Sequence, residues 1–286
     1  MTAASGAPLW APGRLYDGYL LDLDGTVYLG DELLPGAARL VDGLRSLDRR
    51  VVFLSNNPTR DPDAYAERLT GMGIPTRPND VLTSTVALVR WLRDHHPEAT
   101  VFPIGEEPLE RALREAGIAM TREPGDIDFV VASFDRTLTY AKLQIAFDAI
   151  WYHRRARLIA TNPDPYCPVA GGRGEPDAAA VIAAIEACTG ARCEMTLGKP
   201  SAHMAAVALD MLGLDAADCL VVGDRLSTDA RMGLDAGMAS AVVLTGETTA
   251  ETVTEAPGDE RPTYVVSRID ELMPAGTRRE LGWSDE

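Results

Sequence analysis

The stretch Leu21-Asp22-Leu23-Asp24-Gly25-Thr26-Val27-Tyr28 constrains this chain more than any other. It follows Tyr19-Leu20, so an apolar strand runs straight into two carboxylates and a glycine. Paired acids before a sharp turn make a poor core, because a buried charge without a partner is costly. They make a good site. Residues two apart on an extended strand point to the same side, so Asp22 and Asp24 can serve one pocket unless the turn at Gly25 re-aims the second. The competing reading is a strand capped by a solvated acidic turn. The rest of the chain weighs against it.

Strand and helix patterns alternate after this stretch. Pro35-Gly36 opens a helix predicted over 37–47, with Leu40, Val41, Leu44 and Leu47 on its apolar face. Val51-Val52-Phe53-Leu54 reads as a second buried strand, ending at Ser55-Asn56-Asn57-Pro58. Strand, helix, strand is the βαβ pattern of a parallel sheet, whose sites gather at the carboxyl ends of the strands. Helices are predicted over 61–72 and 82–92. A second alternating series follows. It has strands at 100–105, 129–132 and 158–160, and helices at 107–116, 140–151 and 177–188. A loop rich in Gly and Pro follows Thr161-Asn162-Pro163-Asp164.

The first pattern then resumes. Gly198-Lys199-Pro200 precedes a helix over 202–212. A strand at 219–222 ends in Gly223-Asp224, and Thr228-Asp229 leads into a short helix ending near Gly237. Further strands are predicted at 241–244 and 264–266. The expected organisation is a flexible tail over 1–14, core over 15–87, an inserted α/β domain over 88–190, core again over 191–274, and a tail over 275–286. The expected fold class is α/β, a parallel-sheet core with a large α/β insertion.

Composition narrows the function. The 286 residues carry a formal net charge of −16 and are 46% hydrophobic. That balance disfavours nucleic acid and anionic membranes, both of which need clustered cations. An anionic substrate would need local help, most simply a divalent cation. Cys167, Cys188, Cys193 and Cys219 have no CxxC spacing and read as reduced thiols. The four histidines form no metal pattern. Residues 1–14 lack a basic start and a long apolar run, and read as a loose tail, not a signal peptide. No run approaches the roughly 18 apolar residues of a membrane span. A soluble cytoplasmic protein is expected.

Four features need a common explanation: Asp22 with Asp24, Ser55 with Asn56 and Asn57, Lys199, and Asp224 with Asp229. In a parallel sheet all can converge at one edge. Several carboxylates there repel one another unless a cation sits among them. Oxygen ligands without paired nitrogen or sulfur point to Mg²⁺ rather than zinc. A lysine and small hydroxyl or amide donors suit the remaining oxygens of a phosphate. The set describes a cavity for a metal and a phosphoryl group.

On these residues the chain resembles the haloacid dehalogenase (HAD) superfamily of phosphatases, and within it the NagD-like group, subfamily IIA. The matching pieces are LDLDGTVY at 21–28, FLSNNP at 53–58, ATNPD at 160–164, GKP at 198–200 and VVGDRLSTDARMG at 221–233. The resemblance implies a Rossmann-like core with a large inserted cap, and a Mg²⁺-dependent phosphoric monoester hydrolase. It assigns Asp22 as nucleophile and Asp24 as general acid/base. Lys199 steadies phosphate and nucleophile. Ser55, Asn56 and Asn57 bind phosphate. Asp22, the Asp24 carbonyl and Asp224 hold the metal, with Asp229 behind them. It also implies a homodimer through the cap as an assembly open to this chain.

The cap should choose the leaving group. Candidate contacts are Asn162, Asp164, Tyr166, Cys167 and Arg173. Two departures stand out. The cap loop reads Gly171-Gly172-Arg173-Gly174-Glu175-Pro176-Asp177 where the group often has Pro-Gly, so Asp177 reads as a helix N-cap. Ser227 stands where an acid is common. The run of motifs is most similar to the sugar phosphatases of bacterial arabinose operons. The expected partner is therefore a small phosphorylated metabolite, a sugar or polyol phosphate. Phosphoglycolate, glycerol phosphate, nucleotides and nitrophenyl phosphate stay open. A non-catalytic phosphometabolite sensor is the reading from a different class. Binding alone does not need both Asp22 and Asp24.

Overall fold

A computed structural model describes residues 9–169 and 173–283. In chain order the strands are β1 (Gly18–Asp22), β2 (Tyr28–Leu29), β3 (Glu32–Leu33), β4 (Arg50–Ser55), β5 (Val81–Thr83), β6 (Thr100–Ile104), β7 (Ala119–Met120), β8 (Phe129–Ala132), β9 (Arg157–Ala160), β10 (Tyr166–Val169), β11 (Arg173–Pro176), β12 (Cys219–Gly223), β13 (Ala239–Val243) and β14 (Tyr264–Val266). The α-helices are α1 (Ala37–Ser46), α2 (Pro62–Gly71), α3 (Ser84–His95), α4 (Glu107–Glu115), α5 (Tyr140–Phe147), α6 (Ala178–Thr189), α7 (Ala202–Leu212), α8 (Arg231–Ala236), α9 (Ala250–Glu255) and α10 (Ala275–Glu280).

The chain divides into two compact units. One takes in the described residues up to Leu54, then Ala66–Val81, then those from Ala205 onward; the other takes in Ser55–Tyr65 and Leu82–Met204. The first is built on a six-stranded sheet of order β14-β13-β12-β1-β4-β5. Strands β14, β13, β12, β1 and β4 run parallel: Leu21 pairs with Val222 and with Phe53, and Val222 pairs with Ala241. Tyr19, Leu20 and Leu21 are all fully buried, as expected for a strand covered on both faces. Parallel register has one consequence for chemistry. Asp22 ends β1 and Asp224 follows β12, so the two carboxylates come to the same sheet edge.

The second unit has a four-stranded sheet of order β7-β6-β8-β9, again parallel. Its residues alternate between two cores. Phe102, Ile104, Val130, Ala132, Leu158 and Ala160 pack with Val181 and Ile185 of α6. Val101, Phe129, Val131 and Ile159 pack with Leu88 and Trp91 of α3 and Leu109 and Leu113 of α4. Period-two alternation thus feeds a helix layer on each face. The protein is an α/β fold on parallel sheets, as the strand-helix alternation implied.

Local departures from the sequence reading have local causes. Residues 81–83 form a strand, and the helix expected from 82 starts at Ser84, because the Thr83 hydroxyl accepts from the Val86 N–H at 3.2 Å and caps it. The helix expected over 140–151 is α-helical only to Phe147, then widens into a π turn over Asp148–Tyr152. The loop after Asp164 contains a hairpin, with Tyr166 opposite Pro176 and Cys167 opposite Glu175. Gly171 and Gly172 lie outside the described residues. The sequence reading made residues 1–14 a loose tail, but Trp10 forms an antiparallel bridge to Val265 on the edge strand β14. The Trp10 N–H donates to the Val265 carbonyl at 3.0 Å, and the reverse bond is 3.1 Å. One pair of bonds leaves no periodic signature. Residues 275–280, read as patternless, form the short helix α10; six residues are too few to show a helical period. Among the described residues, no helix is long and apolar enough to cross a membrane.

Candidate active site

Asp22 is the last residue of β1, and the chain then turns tightly. The Leu23 carbonyl accepts from the Thr26, Val27 and Tyr28 N–H groups at 3.2, 2.9 and 3.1 Å, and Gly25 N–H donates to the Tyr28 carbonyl at 2.8 Å. This closure requires Gly25 at φ +86°, a region open to glycine at little cost. The turn re-aims the second acid. The Tyr28 hydroxyl donates to Asp24 Oδ2 at 3.3 Å. Tyr28 is fully buried, with the Arg68 guanidinium 4.5 Å from its ring centroid.

The carboxylates of Asp22, Asp224 and Asp229 each offer an oxygen, all within 4.8 Å of one another. The three residues are 7%, 6% and 1% exposed. Asp224 Oδ2 accepts from the Glu247 N–H at 2.7 Å, and its carbonyl accepts from the Thr248 N–H at 3.0 Å. Asp229 Oδ2 accepts from the Arg225 N–H at 3.2 Å and the Thr228 hydroxyl at 3.3 Å. Glycines let the acids in: a Cβ on Gly246 would overlap the Asp224 carboxylate, and one on Gly223 would overlap Asp229. Three buried like charges at this spacing oppose one another strongly. An all-oxygen set offsets that repulsion best around a small hard cation. The Asp24 side chain is not part of this trio.

The second unit places the other expected residues. Ser55 ends β4, is 3% exposed, and its hydroxyl is 2.9 Å from the Tyr65 hydroxyl. Asn57 N–H donates to Ser55 Oγ at 3.2 Å. Asn56 is held on every side. Its Nδ2 donates to Asp164 Oδ2 at 2.7 Å and to the Lys199 carbonyl at 3.0 Å, and its Oδ1 accepts from the Lys199 N–H at 2.7 Å. Its carbonyl accepts from the Ser84 hydroxyl at 2.7 Å. Gly198 makes room for this, since a Cβ there would lie 2.5 Å from Asn56 Oδ1. Lys199 is 3% exposed. It is one of only two lysines in the chain; the other, Lys142, pairs with buried Asp135 at 2.5 Å.

The cap residues separate into two sets. Asn162 and Asp164 belong to a buried network: Asn162 Nδ2 donates to Asp164 Oδ2 at 2.8 Å and to Asp177 Oδ1 at 3.1 Å. Asp177 caps α6 by accepting from the Ala178 N–H at 2.5 Å. Tyr166 and Arg173 are exposed on the hairpin, and Cys167 accepts from Asn57 Nδ2 at 3.4 Å. The sequence reading did not pick out Tyr65, Tyr28 or the backbone at 246–248. The one available signal was Thr245-Gly246 after a buried strand, a turn like those at Gly25 and Gly223.

The chain is similar to known proteins over most of its length. A family model described as haloacid dehalogenase-like hydrolase matches residues 19–119, and one described as HAD-hydrolase-like matches 196–272. The sugar-phosphatase AraL of Bacillus subtilis (strain 168) is 38% identical over 258 residues, 89% of this chain and 91% of that protein. The crystal structure of a 4-nitrophenylphosphatase from Thermotoga maritima has a TM-score of 0.84 at 35% identity, covering 90% of this chain and 96% of that one. A glycerol phosphate phosphatase from Mycobacterium tuberculosis, solved in complex with magnesium, has a TM-score of 0.82 at 31% identity, covering 93% and 78%.

Proposed function

Since the chain belongs to the haloacid dehalogenase-like hydrolases and is a phosphoric monoester hydrolase, we propose that it hydrolyses sugar or polyol phosphates with Mg²⁺ through an aspartyl-phosphate on Asp22. One observation carries this reading: three buried carboxylates with oxygens within 4.8 Å of one another, at the edge where Asp22 ends its strand. Asp22, Asp224 and the Asp24 carbonyl would hold the cation, with Asp229 beside them. When bound it supplies charge neutralisation at the phosphoryl oxygens.

The protein's own groups then have simple tasks. An Asp22 oxygen attacks phosphorus, and the bond from phosphorus to the leaving oxygen breaks. Asp24 gives that oxygen its proton. Water next attacks the aspartyl-phosphate while Asp24 takes a proton back, freeing phosphate and Asp22. The Tyr28 hydroxyl holds one Asp24 oxygen, which favours a single carboxyl orientation. The motif match gives Ser55, the Asn56 N–H, Asn57 and Lys199 to the phosphate oxygens. Phosphoryl transfer needs mostly such positioning and charge stabilisation. We assign residues 88–190 as the lid that selects the leaving group. The likeness to a sugar-phosphatase supports the substrate class; the likeness to a 4-nitrophenylphosphatase supports a permissive leaving-group site.

The test is phosphate release from a panel of phosphomonoesters with Mg²⁺ or EDTA, for wild type and Asp22→Asn. Expected is Mg²⁺-dependent release, fastest with sugar or polyol phosphates and lost in the variant. Release that persists in Asp22→Asn would overturn the nucleophile. A faster rate on nucleotides or phosphoglycolate would overturn the substrate class.

A further inference from the structure

The opposite edge of the first unit's sheet carries a feature that the chemistry above does not use. β4 starts at Arg50 and ends at Ser55. At roughly 3.3 Å per residue its two ends lie about 17 Å apart. Beside the Arg50 end is a groove of about 630 Å³ whose walls include Arg45, Arg49, Arg50 and Arg77. All four belong to the first unit.

The charges do not cancel. Arg49 pairs with Asp17, and Arg45 lies 3.7 Å from Asp80 while also donating to the Pro75 carbonyl. Arg50 donates to the neutral carbonyls of Leu212 and Gly213, at the carboxyl end of α7. Arg77 is exposed and makes no ion pair among the described residues. Four guanidinium groups thus face two carboxylates. This happens on a chain whose formal net charge is −16. In addition, Arg49 Nε is buried with no hydrogen-bond partner among the described residues. An orphaned buried donor is destabilising, and a bound acceptor would offset that.

Guanidinium forks match phosphate oxygens two at a time. The floor of the groove is different: Val51, Val52 and Leu212 are buried and apolar. A ligand that fits both parts carries phosphates at one end and a flat or apolar body at the other. The volume lies within the range of small-molecule sites. We propose that this groove is a second, non-catalytic site for a nucleoside diphosphate. Arg49 and Arg77 hold its phosphates, and the apolar floor receives its base.

The test is calorimetric titration of ADP into the full-length protein in EDTA, with pyrophosphate in a parallel arm. Expected is ADP binding that weakens about tenfold or more in Arg77→Glu and less in Arg77→Lys, which keeps the charge and loses the fork. Turnover of nitrophenyl phosphate without ADP stays at the wild-type rate in both variants, because Arg77 is remote from the acids. Absence of ADP binding, or binding that Arg77→Glu leaves unchanged, overturns the site. Pyrophosphate binding as tight as ADP overturns the role of the apolar floor. Loss of phosphate release in Asp22→Asn concerns the catalytic reading and leaves this one standing.

Discussion

Gly246 lies flat against Asp224: a Cβ at position 246 would overlap the Asp224 carboxylate, whose Oδ2 accepts from the next residue's N–H at 2.7 Å. Gly246→Ala must therefore push Asp224 away from Asp22 and Asp229. The expected result is a loss of about 10–100-fold in metal affinity or activity, with the far-ultraviolet circular dichroism retained. Titrating phosphate release against Mg²⁺ reads it. An unchanged Mg²⁺ dependence would remove Asp224 from the metal set.

Tyr28→Phe deletes the bond to Asp24 Oδ2 and keeps the ring under Arg68. One neutral hydrogen bond is worth about 1 kcal/mol, or roughly fivefold in rate. The loss should fall on kcat with little change in KM. A change confined to KM would mean that Tyr28 serves binding rather than the acid.

Asn56→Ala should lower stability by about 1–3 kcal/mol, because it strips Asp164 and the Lys199 backbone of buried partners at once. Urea unfolding checks this. An unchanged midpoint would show that water replaces all three bonds.

Glu106 should give the second unit an acid-side stability limit. Bidentate hydrogen bonding from Arg136 is the largest cause holding its carboxyl below the ordinary range. A depressed folded pKa contributes stability above the ordinary glutamate value of about 4.3, and that contribution is lost as pH falls through the folded value. Arg136 is half exposed, so the effect is small. Glu106→Gln should flatten the stability curve below about pH 4. A curve of unchanged slope would show that the pair is solvent-screened.

Thiol reagents should sort the cysteines by burial. Burial pushes the Cys193 and Cys219 thiols up to about 11, so near neutral pH both stay protonated and slow. Cys188 is exposed. Alkylation followed by peptide mass mapping should find Cys188 modified well before Cys193 or Cys219. Early modification of Cys219 would mean that β12 opens at its amino end.

Much of this protein is legible without coordinates. Alternation of buried strands and amphipathic helices dictated an α/β fold, because hydrophobic period is local and survives in the sequence. Asp22, Asp24, Ser55, Lys199 and Asp224 stood out because each follows an apolar strand or opens a helix, where small polar residues have no packing reason to be. The short elements were not legible. The three residues of β5, one bridge at Trp10 and six residues of α10 carry no period to detect.

What only the tertiary structure decided concerns direction and partners. The sequence put Asp22 and Asp24 on one side of a strand. The motifs already grouped Asp22 with Asp224 and Asp229; the fold brings their oxygens within 4.8 Å of one another and turns the Asp24 side chain toward Tyr28. The turn at Gly25 breaks the strand period, and parallel pairing of β1 with β12 brings Asp224 to the edge where Asp22 ends its strand. Likewise Asn162 and Asp164, candidates for substrate contact by their place in a loop, proved to be buried against Asn56 and Asp177. A motif fixes which groups a chain possesses. Which of them face a ligand and which satisfy one another depends on contacts between distant segments, and those are set by register and packing.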